Sequence, residues 1–137
     1  MDTKTDTRFR YWQRSFAGES CGDLIHAVGT KDATRLILAD ACGHGPEAAA
    51  IAGIFLRICQ DDLAHAMEGG CFRKWNRSLE ALFPTGRFVA VTIVELSHAG
   101  DVARIWNAGN PAPVHVSGRT PVARCINRFG MPLGALP

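Results

Sequence analysis

The chain has 137 residues, 47% of them hydrophobic and 20% charged, with a formal net charge of +2. That length is one domain with enough chain for a buried core, and the composition is globular, which excludes a disordered chain. No apolar run reaches the roughly 18 residues of a membrane span, and the polar start MDTKTDTRFR lacks the apolar centre of a signal peptide, so the sequence predicts a cytoplasmic protein with no membrane partner.

The charge is unevenly spread. Residues 1–70 carry 7 basic and 10 acidic side chains, residues 71–137 carry 8 and 3, and no Asp or Glu follows Asp101. Nothing here resembles the dense Lys/Arg face of a nucleic-acid binder, and any carboxylate chemistry is confined to positions up to Asp101. The five cysteines, Cys21, Cys42, Cys59, Cys71 and Cys125, are odd in number and widely spaced without a CxxC. They read as small buried hydrophobes rather than as a disulfide framework or structural zinc site.

Residues 1–7 read as a loose polar end ahead of a domain over 8–137. Arg8 to Phe16 alternates aromatic and basic residues as a half-buried strand does. A second strand is expected over Leu24–Val28, a turn at GTKDAT, and a central strand over Arg35–Ala39 whose run RLILA is nearly all apolar. Pro46 and Glu47 suit the first turn of a long helix, with Ile51, Phe55 and Ile58 as its stripe, Ile54 widening it, and Gly69-Gly70 as its end. A second helix is expected over Phe72–Leu82, with Trp75, Leu79 and Leu82 on one face and Pro84 and Gly86 as the stop. Phe88–Leu96 and Val102–Asn107 read as a strand pair around SHAGD, and Val114–Val116 with Pro121–Ile126 as a further hairpin. The ending RFGMPLGALP reads as a loop. Strands, then two helices, then strands give an α+β fold with mostly antiparallel pairing.

Chemistry concentrates in LILADACGHG, residues 36–45. An apolar strand delivers Asp40 to its exit, and a glycine-flanked turn leads into a helix, where close backbone approach, free amides and the helix dipole suit anion and metal chemistry. On spacing alone, an acidic turn before a glycine-started helix fits equally well. Asp23, placed in a loop between strands that flank the central one, brings a second carboxylate towards the same sheet end. Two carboxylates with carbonyls and water suit Mg²⁺ or Mn²⁺, and a pair of such ions activates water against a phosphoryl group. His44 is a candidate general acid, and equally a loop histidine bonded to backbone. His26, His65, His98 and His115 are scattered, and Trp12, Trp75 and Trp106 read as core.

Gly22-Asp23, then Ala39-Asp40-x-Cys42-Gly43-His44-Gly45, then Asn107-Ala108-Gly109-Asn110-Pro111, then Gly130-x-Pro132-Leu133-Gly134 occur in that order. Together they resemble the bacterial PPM-type serine/threonine phosphatases of the SpoIIE-like branch, related to protein phosphatase 2C, over residues 8–137. The resemblance implies an α-β-β-α sandwich of two antiparallel sheets flanked by helices, here truncated at the C-terminus. It implies a site for two Mn²⁺ or Mg²⁺ ions, with Asp23 and Asp40 as ligands, Asp40 bridging, and Gly43 binding through its carbonyl. It further implies His44 beside the reaction, Gly45 and Asn110 at the phosphate and substrate end, and a phosphorylated STAS-type anti-sigma-factor antagonist as substrate in stress or sporulation signalling. Cys21 stands where the family has a glycine, and Asn110 where it has histidine. The family continues past Gly-x-Pro-Leu-Gly into a Thr-Asp-Gly strand and a last acidic ligand that this sequence lacks. The expected consequences are weak metal binding, an unpaired sheet edge through which an oligomer could form, and, as the second reading, a catalytically inactive interaction module. A nucleotide-binding regulatory domain built on the Gly-His-Gly helix start is a distant third reading.

Overall fold

A computed structural model describes residues 9–11, 13, 20–65, 67, 70–84, 86–118, 122–126 and 130–135. The strand expected over Arg8–Phe16 and the loose end over 1–7 fall wholly or mostly outside these residues. The described elements are β1 (Asp23–Gly29), β2 (Ala33–Ala41), α1 (Gly45–Ala64), α2 (Cys71–Leu82), β3 (Val89–Ser97), β4 (Ala103–Ala108), β5 (Val114–Val116) and β6 (Ala123–Cys125). The first four strands form one antiparallel sheet in the order β1-β2-β3-β4, and β5 pairs with β6 in a separate two-stranded sheet. The mixed architecture with antiparallel sheets agrees with the sequence.

β2 is interior to its sheet, as its apolar run requires. Alternation divides its residues between two faces. Ile37, Ala39 and Ala41 enter the core together with Ile51, Phe55, Trp75, Leu79, Val91 and Ile93, while Leu38 and Asp40 lie exposed on the opposite face. The helices cover the first face, with α1 packed on β1, β2 and α2. Phe55 and Trp75 are fully buried and meet edge-on at a centroid distance of 6.0 Å, each contributing on the order of 1.5–3 kcal/mol by burial. Trp75 Nε1 donates to Asp62 Oδ2 at 2.7 Å, so the indole keeps its polar partner inside the helix pair.

The helix faces differ from the expected stripes. In α1 the buried line is Ala48, Ile51, Ala52, Phe55, Cys59 and Leu63, with Ile54 and Ile58 only half-buried. In α2 it is Cys71, Trp75 and Leu79, whereas Leu82 is 60% exposed. α1 also ends at Ala64, five residues before the glycine pair. Its last turn holds no basic residue, and the Arg35 guanidinium from β2 supplies that function: Nη1 donates to Leu63 O at 2.6 Å and to His65 O at 3.2 Å. The C-terminal stretch is not merely a loop, because Leu133 bridges to Val89 through two backbone bonds of 2.9 Å. Cys59 and Cys71 are buried as expected, Cys21 and Cys42 are half-buried and Cys125 is exposed.

Candidate metal and phosphate site

Ala41 N–H donates to Gly22 O at 3.1 Å, and Thr30 N–H donates to Ala33 O at 2.8 Å at the other end of the same ladder. These bonds fix which pairs of the β1–β2 ladder are hydrogen-bonded. Asp23 and Asp40, which are register partners, therefore form a non-hydrogen-bonded pair, the kind with Cα atoms about 4.5 Å apart and side chains closest. Asp23 is the first residue of β1 rather than a loop residue, and both carboxylates stand on the face away from the helices. Gly22 allows the approach: a Cβ there would lie 2.5 Å from Ala41 O.

The Asp40 carboxyl titrates above the ordinary carboxylate range, first because the site removes part of its hydration and second because Asp23 places a like charge beside it. Both residues border a cavity of about 560 Å³ that also meets Leu38, Thr92, Asn110 and Pro111. Its acidic end is at the aspartates and its remainder is mainly apolar.

Asn110 is held over this cavity by a short relay. Thr92 Oγ1 donates to Asn107 Oδ1 at 2.7 Å, Asn107 Nδ2 donates to Asn110 O at 2.9 Å, and Asn110 Nδ2 donates to Thr92 Oγ1 at 3.0 Å. Gly109 N–H donates to Gly130 O at 2.8 Å, and Gly134 N–H to Asn76 Oδ1 at 2.7 Å. The Asn-Ala-Gly-Asn-Pro and Gly-x-Pro-Leu-Gly stretches thus meet directly. Gly109, at φ +89° and with Pro132 Cγ only 2.5 Å from where a Cβ would sit, leaves no room for another residue.

Gly43, His44 and Gly45 form the turn from β2 into α1 and are not among the residues that line the cavity. Gly43 and Gly45 have φ of +98° and +72°. His44 is the exposed N-cap of α1, in extended conformation, and its side chain makes no cap bond. The structure thus brings Asp23, Asp40 and Asn110 to one cavity and leaves His44 and the two glycines outside its lining.

Residues 30–137 match the sequence model of the family described as "Stage II sporulation protein E (SpoIIE)". The chain belongs to the SpoIIE family. The fold agrees with two solved structures. One is that of the RsbU and RsbW domains of Rv1364c from Mycobacterium tuberculosis, with a TM-score of 0.72 at 22% identity over 90% of this chain. The other, containing the PP2C phosphatase domain of SpoIIE from Bacillus subtilis, gives a TM-score of 0.61 at 10% identity over 80% of this chain. The present chain spans 34% and 32% of those two chains. No curated protein matches it. As a SpoIIE-family chain it is related to PP2C-like phosphatase domains, a group that is generally metal-dependent.

The donor set of this SpoIIE-family site fits a hard divalent cation in kind. Two carboxylates lie side by side, and among the described residues no lysine or arginine forms an ion pair with either. Among those residues no cluster of three or more His, Cys, Asp or Glu side chains forms. Sequence reasoning met Asn107 only as a strand end and the first residue of the Asn-Ala-Gly-Asn-Pro stretch, and it missed Thr92, which with Asn107 positions Asn110, and Gln13, whose Nε2 donates to Asp23 O at 2.8 Å. A lone threonine within FVAVTIVEL is the one trace the sequence offers of Thr92's part in that relay.

Proposed function

We propose that this SpoIIE-family domain takes part in metal-dependent hydrolysis of phosphoserine or phosphothreonine on a bacterial regulatory protein, a STAS-type anti-sigma-factor antagonist, within cytoplasmic stress or sporulation signalling. The juxtaposition of Asp23 and Asp40 carries this reading. Asp23, Asp40 and the Gly43 carbonyl would hold Mn²⁺ or Mg²⁺. Such ions, when bound, supply a water acidic enough to act as nucleophile at neutral pH. Asp40, between its strand partner and the cavity, orients that end of the site. His44, exposed at the helix start with no bond tying its ring to the helix amides, is the proposed proton donor to a leaving oxygen. Gly45 and Asn110 shape the phosphate and substrate end, Asn110 being fixed through Thr92.

Release of phosphate from a phosphoserine peptide, dependent on Mn²⁺ and abolished by Asp40→Asn, is the expected result. No release at saturating Mn²⁺ overturns the active-enzyme reading. A second reading, an inactive interaction module, is favoured by the small acidic donor set. It predicts tight binding of a STAS-type partner that EDTA and Asp23→Ala leave unchanged, and strict metal dependence of that binding refutes it.

A further inference from the structure

The turn that carries Gly43 is flexible by composition, since two of its residues are glycines at positive φ. It is nevertheless fastened to one short segment, Gly86–Phe88, just before β3. Cys42 N–H donates to Phe88 O at 3.0 Å, and Phe88 N–H donates back to Cys42 Sγ at 3.2 Å. Arg87 reaches over the turn from that segment. Its Nη2 pairs with Glu47 Oε1 in the first turn of α1, and its Nη1 lies 3.8 Å from the point where a Cβ on Gly43 would stand. The segment is itself pinned on its other side, where Leu133 bonds to Val89 in both directions. Arg87 thus spans the metal-site turn, anchored at both ends.

We propose that Arg87, paired with Glu47, is a positioning residue for metal binding: it clamps the Gly43–Gly45 turn and so preorganises the backbone that, in the reading above, offers the Gly43 carbonyl to the cation. This inference rests on that reading of the site. Its physical basis is that partners outside the ligand shell set the ligands' orientation, and that their loss typically weakens metal affinity by about 10- to 100-fold. The Arg87 side chain is 35% exposed and that of Glu47 67%, so the ion pair contributes little to stability. Its effect belongs in metal affinity.

The experiment is a Mn²⁺ titration of the metal-free protein, following the signal of free Mn²⁺ by electron paramagnetic resonance, alongside the thermal midpoint without metal. Arg87→Met and Glu47→Gln are each expected to weaken Mn²⁺ binding about tenfold with the metal-free midpoint nearly unchanged. The exchanged pair, Glu47→Arg with Arg87→Glu, is expected to recover most of the loss. Unaltered affinity in Arg87→Met overturns the clamp while leaving the metal site standing. A parallel fall of affinity and midpoint, or no recovery in the exchanged pair, also overturns it. Absence of Mn²⁺ binding in the unsubstituted protein removes the metal reading and the clamp with it.

Discussion

Asp23 and Asp40 face one another across β1 and β2 with their carboxylates on the same face and, among the described residues, no basic side chain in ion-pair contact. Without a cation this is a repulsive pair. An aspartate whose folded pKa lies above its unfolded value binds its proton more tightly when folded. The stability it contributes is therefore present at acid pH and lost as pH rises from the ordinary carboxylate range through the raised pKa of Asp40. Metal-free Asp40→Asn is expected to be more stable than the unsubstituted protein at neutral pH by a few tenths of a kcal/mol, the size of a cross-strand charge contact. The difference should shrink towards zero below the carboxylate range. Urea unfolding at several pH values measures both, and a less stable Asp40→Asn at neutral pH contradicts the repulsive pair.

Metal should reverse that ordering. A ligand that binds only the folded state stabilises it by about 2.7 kcal/mol at one hundred times its dissociation constant. Mn²⁺ is expected to raise the thermal midpoint of the unsubstituted protein and to leave Asp23→Asn and Asp40→Asn almost unmoved. The substitution that stabilises the metal-free protein thus removes the metal response. Equal Mn²⁺ shifts in all three proteins would place the ion elsewhere.

The strand run LILAD was enough to place Asp40 at a sheet end, because a nearly continuous apolar stretch marks an interior strand and its first acid marks the exit. The partner was less legible. Asp23 follows Cys21-Gly22, which reads as a loop, and only the ladder shows it to be paired residue for residue with Asp40. The end of α1 was misplaced for a related reason: the helix stops where a guanidinium 28 residues upstream meets its carbonyls, and no signal near Ala64 records it, whereas both ends of α2 agree with the sequence to within a residue. Charges within β2 and β3 were likewise unreadable as core, since Arg35 and Glu95 satisfy one another only after the strands pair. The sequence pattern locates residues along the chain, whereas long-range partners decide which of them become buried.

Gly22 ties strand pairing to the site. A Cβ there would lie 2.5 Å from Ala41 O and 3.0 Å from the Ala48 Cβ, and the oxygen is backbone that has nowhere to go. Gly22→Ala is expected to cost about 1–3 kcal/mol, the usual range for overpacking, and to weaken Mn²⁺ binding as the first rung beside Asp23 and Asp40 opens. Gly53→Ala is the control, because a Cβ at that helical glycine meets nothing within 4 Å. It should be neutral or slightly stabilising. Equal behaviour of the two variants in urea unfolding refutes the account.

The far end of β2 tests whether stability and metal binding are separable. Arg35 and Asp40 lie five positions apart, about 17 Å along a strand, on opposite faces. Arg35 Nε donates to Glu95 Oε2 at 2.7 Å, with both side chains under one-tenth exposed, and Arg104 Nη1 donates to the other oxygen at 2.7 Å. Burial alone would raise the Glu95 pKa, but the hydrogen bonds and charges of Arg104 and Arg35 outweigh it and hold the carboxyl below its ordinary value. The stability linked to Glu95 is accordingly present above the unfolded carboxylate pKa and lost as pH falls through the depressed one, the opposite sense to Asp40. Glu95→Gln leaves a buried guanidinium without its counter-charge. Removing one partner of a buried pair costs about 3–5 kcal/mol, and the loss should be largest at neutral pH. Mn²⁺ affinity of the folded variant, measured by the same resonance titration, should be unchanged. A loss below about 1 kcal/mol would mean that water entering the adjoining cavity of about 540 Å³ screens the pair as it does at a surface. A fall in Mn²⁺ affinity would mean instead that the two ends of β2 are coupled through the sheet.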